Sequence, residues 1–335
     1  MKEMKLRTEI GSVDLGAKIS YDSEVFAIGS CFAERIGSQL RAAKFCAVVN
    51  PTGVLFNPAS ICATLERVAS CRFVGLEELH PFDVADSSGG WFHYDFHSSL
   101  SCATAEQTLE RINDTIAMSH EALKRADTVL VTLGTAWIYE LADSGSIVAN
   151  CHKQPARSFV RRRLSVEEIV SGLERVLSQY LVGKSVVLTL SPIRHVADGL
   201  AENSLSKATL RVAIDEVVRR NIADCRIEYF PAYEMLIDDL RDYRFYESDM
   251  VHPSPVATQY IYDSFCRATM SDATLQTTER VAQVLRAASH RPQNRAAQQF
   301  RDFCTKQLES INKLKSECAK IDFADEIEYF GEQLR

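Results

Sequence analysis

The chain has no apolar run near the roughly 18 residues that a membrane-spanning helix needs. Its first residues, Met1-Lys2-Glu3-Met4-Lys5, lead into polar sequence rather than an apolar leader core. No secretory signal is therefore expected, and the expected location is cytoplasmic. None of the 10 cysteines forms a Cys-x-x-Cys pair. Without a leader, reduced thiols are expected rather than a disulfide framework. Basic residues are in deficit, 38 Lys and Arg against 45 Asp and Glu, for a net charge of -7. That argues against nucleic acid as the main partner. Internal repeats and low-complexity segments are also missing. What remains is ordinary globular composition, 46% hydrophobic and 25% charged over 335 residues. That length allows one large domain or two modest ones.

What is present is an alternation. Near-continuous apolar runs at Val25–Ile28, Ala47–Val49, Thr128–Leu133, Ser185–Leu190 and Arg226–Phe230 predict strands. Helical patterns lie near Ala33–Ala43, Pro58–Ser70, Ala105–Arg125, Val166–Leu181 and Leu205–Asn221. Ser165 with Glu168, and Thr104 with Gln107, read as capping boxes at two helix starts. Buried strands alternating with helices imply a parallel sheet covered on both faces. The expected fold is thus α/β, a three-layer sandwich around a mostly parallel five-stranded sheet. Sites in such sheets gather at the carboxyl ends of the strands.

Two excursions interrupt the pattern, and long excursions in a compact domain are often functional. Residues 73–100 are rich in Gly, Ser, His and aromatics. Residues 137–163 read as a hairpin about Asp143-Ser144-Gly145, then a basic loop whose Arg161-Arg162-Arg163 is expected to be a solvated face. The organisation expected is a main domain over residues 1–286 and a helical extension over 287–335. In that extension Phe300, Cys304, Gln307, Ile311, Leu314, Cys318 and Ile321 form a 4-3-4-3 seam. The seam is expected to pack on its own domain, the alternative being a second copy and hence a homo-oligomer.

The most informative run is Gly29-Ser30-Cys31-Phe32-Ala33, where the first strand enters the first helix. A glycine before a serine at such a turn can lift the hydroxyl above the sheet edge, with helix N-terminal N–H groups ready for an oxyanion. Near the other end stands Asp249-Met250-Val251-His252. A serine needs a base, and a histidine needs an orienting group, to make a nucleophile. The alternative for His252 is a structural residue at a helix start. Cys31 could have its thiol acidified by the helix start, but filling space under the turn is the preferred reading. Trp91 and Trp137 can stack on a sugar or serve as core. His93, Asp95 and His97 would share one face of a strand, and with His152 or Cys102 could hold a metal. The plainer reading makes them pocket residues and leaves the protein without metal or cofactor.

Gly29-Ser30-Cys31-Phe32-Ala33 is the run that gives the GSCFA family its name, and the chain resembles that family. Asn50-Pro51-Thr52-Gly53, Asp95-Phe96-His97-Ser98, Leu133-Gly134-Thr135-Ala136, Asn150-Cys151-His152-Lys153 and Ser191-Pro192-Ile193-Arg194-His195 also look like family blocks, spanning roughly Glu24 to Phe265. The family in turn looks like a branch of the SGNH (GDSL-like) hydrolases, in which the serine comes early and Asp-x-x-His late. The resemblance implies Ser30 as nucleophile, His252 as base and Asp249 as its orienter. It implies an oxyanion hole from the N–H groups of Ser30 and Gly53. The SGNH asparagine is replaced here by Leu133-Gly134-Thr135-Ala136-Trp137, so Thr135 or Asn50 is expected as third donor. Asp95, His97, Asn150, His152, Arg194 and His195 are the expected substrate contacts. The implied activity is ester hydrolysis or acyl transfer, with an O-acylated carbohydrate as substrate class. The alternatives are a non-catalytic protein binding a glycan or nucleotide-sugar, and a metal-dependent hydrolase.

Overall fold

A computed structural model describes residues 7–82, 89–220, 222, 224–289 and 298–334. The chain opens with β1 (Glu24–Gly29), α1 (Cys31–Ala42), β2 (Cys46–Val49) and α2 (Pro58–Ala69). The first excursion carries two short strands, β3 (His80–Pro81) and β4 (Trp91–Phe92). Next come α3 (Ala105–Arg125) and β5 (Thr128–Leu133). The second excursion holds β6 (Trp137–Leu141), β7 (Ile147–Val148) and β8 (Phe159–Arg163). The alternation resumes with α4 (Val166–Tyr180), β9 (Ser185–Leu190), α5 (Leu200–Arg220) and β10 (Arg226–Phe230). A single turn, α6 (Ala232–Glu234), runs into a π-helical stretch, Met235–Leu240. Four helices close the chain: α7 (Pro255–Thr269), α8 (Asp272–Ser289), α9 (Gln298–Glu317) and α10 (Ala324–Glu332).

The central sheet is five-stranded in the order β10-β9-β5-β1-β2, and every pairing in it is parallel. The order reverses between β1 and β5, and that switch point opens a crevice at the strands' carboxyl ends. The strands are apolar on both sides because both faces are covered. Phe26 and Ile28 face a core built with α2, α4 and α5. Val25 and Ala27 face a second core with α1, α7 and the closing helices.

The five strands fall where the apolar runs predict them, and the α/β sandwich with its helical tail is the fold observed. The fifth helical pattern is longer at its start than expected, beginning at Leu200; its expected last residue, Asn221, lies outside the described residues. Ser165 and Glu168 form a full capping box, whereas Thr104 caps α3 by accepting from the N–H of Gln107 without a return bond. Arg161-Arg162-Arg163 is strand rather than loop, pairing with β6. It is not a simple solvated face: Arg161 lies 4.1 Å over the Trp137 ring, and Arg162 pairs with Glu140 and Glu168.

The tail packs on its own chain. Cys304, Ile311, Leu314, Ile321, Phe323 and Phe330 join the core shared with α1 and α7. The position between residues 286 and 287 falls inside α8. All 10 cysteines are free. No helix among the described residues is long and apolar enough to cross a membrane.

Candidate active site

Gly29 explains the turn at the end of β1. Its φ is +136°, and a Cβ there would sit 2.2 Å from the Thr132 carbonyl oxygen. The chain therefore leaves the strand sharply, and Ser30 becomes the N-cap of α1, with Oγ accepting from the Phe32 N–H at 3.2 Å. Ser30 is 1% exposed. Burial pushes the neighbouring Cys31 thiol upward, the reverse of an activated thiolate.

Asp249 and His252 occupy a loop before α7. Met250, at φ +58°, turns this loop so that the N–H groups of Val251 and His252 both reach Asp249 Oδ1, at 2.9 and 3.0 Å. Asp249 Oδ2 receives His252 Nδ1 at 2.6 Å. The His252 backbone N–H, then its ring, lower the Asp249 carboxyl to about 2. The carboxylate is thus ionised at neutral pH, His252 Nδ1 carries the proton, and Nε2 is left as the basic nitrogen. Arg35 of α1 fastens the loop, bonding Glu247 at 2.7 Å and the Pro253 carbonyl at 3.4 Å. Arg194, leaving β9, holds it from the other side: its N–H donates to the Val251 carbonyl at 3.3 Å.

A chain of contacts joins the two halves. Gly134, after β5, packs against Ser30, since a Cβ there would fall 3.4 Å from the serine Cβ. Gly134 and Thr135 both donate backbone N–H bonds to the Phe56 carbonyl. The Phe56 ring meets His195 edge-on at 5.9 Å. Burial, then the charges of Lys207 and His252, push His195 down to about 4. Ser30, His195 and His252 thus share one end of the sheet. No hydrogen bond joins Ser30 to His252 among the described residues.

The expected oxyanion donors have other partners. The Ser30 N–H donates to the Thr132 carbonyl at 3.2 Å and the Gly53 N–H to the Asn50 carbonyl at 2.8 Å. Asn50 Oδ1 accepts from the Gly29 N–H at 2.8 Å, while Nδ2 donates to Glu34 at 3.2 Å. Thr135 Oγ1 accepts from the Trp137 N–H and bonds Ser206 Oγ, both at 3.1 Å. At the head of α1, the N–H groups of Cys31 and Ala33 have no carbonyl of a preceding helical turn to bond.

The first excursion touches this end through His97. Gly53 (φ +95°) leaves room for it: a Cβ on Gly53 would lie 2.0 Å from that of His97. Asp95 instead pairs with Arg67 at 3.3 Å. His152 is buried, stacks 4.3 Å from Phe92, and donates from Nε2 to the His93 carbonyl at 3.0 Å. Burial lowers His152 to about 4. Asn150 Oδ1 accepts from the His152 N–H at 2.8 Å. Asn150 and His152 therefore brace the excursion. His93, Asp95 and His97 do not share a face, because β4 ends at Phe92 and the chain turns, the Phe96 N–H donating to the His93 carbonyl. His93 reaches Glu78 and His97 reaches Ser99. No group of three His, Cys, Asp or Glu side chains placed to hold a metal occurs among the described residues.

Sequence reasoning located α5 but not the polar start of its buried face. Its buried face starts with three polar residues, Asn203, Ser206 and Lys207, before Leu210, Ala213, Ile214 and Val217. Asn203 accepts from the His195 N–H, and Ser206 bonds Thr135. Lys207 is 1% exposed and donates to the carbonyls of Gly134 and Ser191, at 2.6 and 2.8 Å. No ion pair reaches Lys207 among the described residues, and burial lowers its ammonium to about 7. The i, i+3, i+4 spacing of this polar trio was the available signal.

Among curated proteins and among solved structures, none matches the chain. The family comparison does match. The GSCFA family covers residues 24–265, and the C-terminal domain of GSCFA domain proteins covers residues 281–335. The first match takes in Ser30, Asp249, His252 and every strand of the central sheet, and on that coverage the chain belongs to the GSCFA family.

Proposed function

We propose that the protein is a serine-dependent ester hydrolase or acyltransferase of the SGNH type, acting on an O-acylated carbohydrate. The observation that carries this reading is the Asp249–His252 pair at 2.6 Å, fastened by Arg35 to the helix that Ser30 caps. In the reaction His252 Nε2 takes the Ser30 proton as Oγ attacks the acyl carbon. The oxyanion collapses, the bond to the alcohol oxygen breaks, and His252 returns the proton to that oxygen. Water or an acceptor hydroxyl then releases the acyl group by the same steps in reverse order. The first-turn N–H groups of α1 are the donors we assign to the oxyanion, since Ser30, Gly53, Asn50 and Thr135 bond elsewhere. The exposed ring of Phe56, 38% accessible beside Gly134, offers an apolar surface for a sugar. A cytoplasmic location and the absence of nucleic-acid partners belong to the same proposal.

A second reading is a glycan-binding protein without turnover. The unmade Ser30–His252 bond and the engaged donors favour it. Fluorophosphonate labelling separates the two. The ester reading requires labelling of the parent and its loss in Ser30→Ala, with turnover of an aryl acetate falling by about 10³-fold or more. A parent that resists labelling while binding acetylated glycan overturns the ester reading.

A further inference from the structure

Beside the His252 loop lies a cavity of about 220 Å³, between the exit of β9 and the residues that follow the π-helical stretch. Two arginines line it, Arg194 and Arg241. Arg194 lies 4.1 Å over the Tyr246 ring and 5.3 Å over that of Tyr243. Its guanidinium reaches the Met250 carbonyl only at the long distance of 3.5 Å and also hydrogen-bonds Tyr246. Arg241 is exposed, and its guanidinium has no ion pair or hydrogen bond among the described residues. The single carboxylate lining the cavity, Asp242, is already taken by Arg244, whose side chain and N–H reach it at 2.8 and 2.9 Å. Asp239, on the same stretch, is buried against Tyr260 at 2.5 Å. In a chain of net charge -7, this is a cavity lined by two arginines whose lining carboxylate is already paired; the other carboxylate on the stretch, Asp238, is exposed and does not line it.

Arginine forks recognise carboxylate and phosphate oxygens in pairs. A tyrosine ring 64% exposed, as Tyr243 is, provides a face for a sugar to stack on. The position indicates which part of a substrate would lie here. In ester chemistry the alcohol oxygen must meet the basic nitrogen of His252, so the cavity flanking His252 faces the alcohol portion and not the acyl group.

We propose that Arg194 and Arg241 form a subsite for an anionic group, carboxylate or phosphate, carried by the sugar alcohol that leaves or accepts the acyl group. The proposal rests on the ester reading for the word alcohol, but the anion preference itself does not need turnover. The test therefore uses Ser30→Ala protein, titrated calorimetrically with glucuronate, glucose 6-phosphate and glucose. Both anionic sugars are expected to bind about tenfold or more tighter than glucose, the equivalent of one charge-assisted bond. The ratio between the two distinguishes a carboxylate from a phosphate subsite. Arg241→Gln, at an exposed position, is expected to bring the preference down to near unity without changing the melting temperature. Arg194→Gln should do the same and also loosen the His252 loop. Equal binding of the three sugars, or a preference that survives Arg241→Gln, overturns the subsite. Fluorophosphonate labelling of protein with an intact Ser30 reports on the ester reading separately.

Discussion

Lys207 sets a charge where no ion-pair partner stands among the described residues. Its ammonium bridges the carboxyl ends of β5 and β9 through two carbonyls, directly behind the glycine that walls Ser30. Burial lowers it from 10.5 to about 7, so between those values the unfolded chain holds a proton that the folded chain has lost. Stability then rises with pH across that window, and the penalty of the buried charge is fully present below about pH 7. The Lys207→Met variant should lose this slope. Urea melts of parent and variant at a series of pH values between neutral and about 10.5 read the difference directly. Two buried carbonyls without donors cost about 1–3 kcal/mol each. The variant is therefore expected to be less stable than the parent at the alkaline end, where the parent no longer carries the charge penalty. Parallel stability curves would remove Lys207 as the source of the slope.

At the scale of elements, the strands are legible because a doubly covered parallel strand is buried throughout and so nearly continuous in apolar residues, as Thr128–Leu133 is. The serine turn is legible because Gly29 and Ser30 stand where an apolar strand passes into a helix, and there a positive-φ glycine and an N-cap follow in succession. The excursions were less so. Alternation places residues on one face only while a strand lasts, and β4 lasts for Trp91 and Phe92 alone. His93, Asp95 and His97 therefore scatter. The polar start of α5 was hidden for a different reason. The helical pattern predicts the helix only from Leu205, which leaves Asn203 outside it and apart from Ser206 and Lys207. The loop of Asp249 and His252 depends on an element far away in sequence, α1, whose Arg35 no local pattern singles out. The Arg35–Glu247 pair is partly exposed, side chains 30% and 37% accessible, so its removal should cost stability no more than about 1 kcal/mol. Its effect on positioning should be larger. In Arg35→Met, fluorophosphonate labelling of Ser30 is expected to slow by about tenfold with the melting temperature nearly unchanged, since small displacements of a base are amplified in rate. An unchanged labelling rate would mean that Pro253, Pro255 and Arg194 hold the loop without α1.

For the molecule as a whole, the question is whether the tail is a passenger or a part of the fold. The two family matches leave residues 266–280 between them, yet α8 runs unbroken from Asp272 to Ser289, from that interval well into the second match. The tail's apolar residues share a core with α1, β1 and α7. Polar ties reinforce the docking: Lys44 reaches Glu326 at 3.0 Å, and Lys320 reaches the Asp22 carbonyl at 2.7 Å. Ending the chain after Ser289 would strip α9 and α10 from Val281 and Val284, which are 0% and 2% exposed. Each large apolar side chain returned to water costs roughly 1.5–3 kcal/mol. With about 2.1 cal/mol/K of unfolding entropy per residue, a chain of this size shifts by about 1–2 °C per kcal/mol, and the truncated protein should melt roughly 5 °C or more below the parent. It should also aggregate through the uncovered face of α8. Full-length Ile311→Asp, which places a charge in the same interface, should lower the melting temperature in the same direction. A truncated chain that melts with the parent, stays monomeric in sedimentation and labels at the parental rate would make the tail a separate unit resting on the sandwich. The seam of Cys304, Ile311 and Leu314 would then be free to serve a second copy instead of this core.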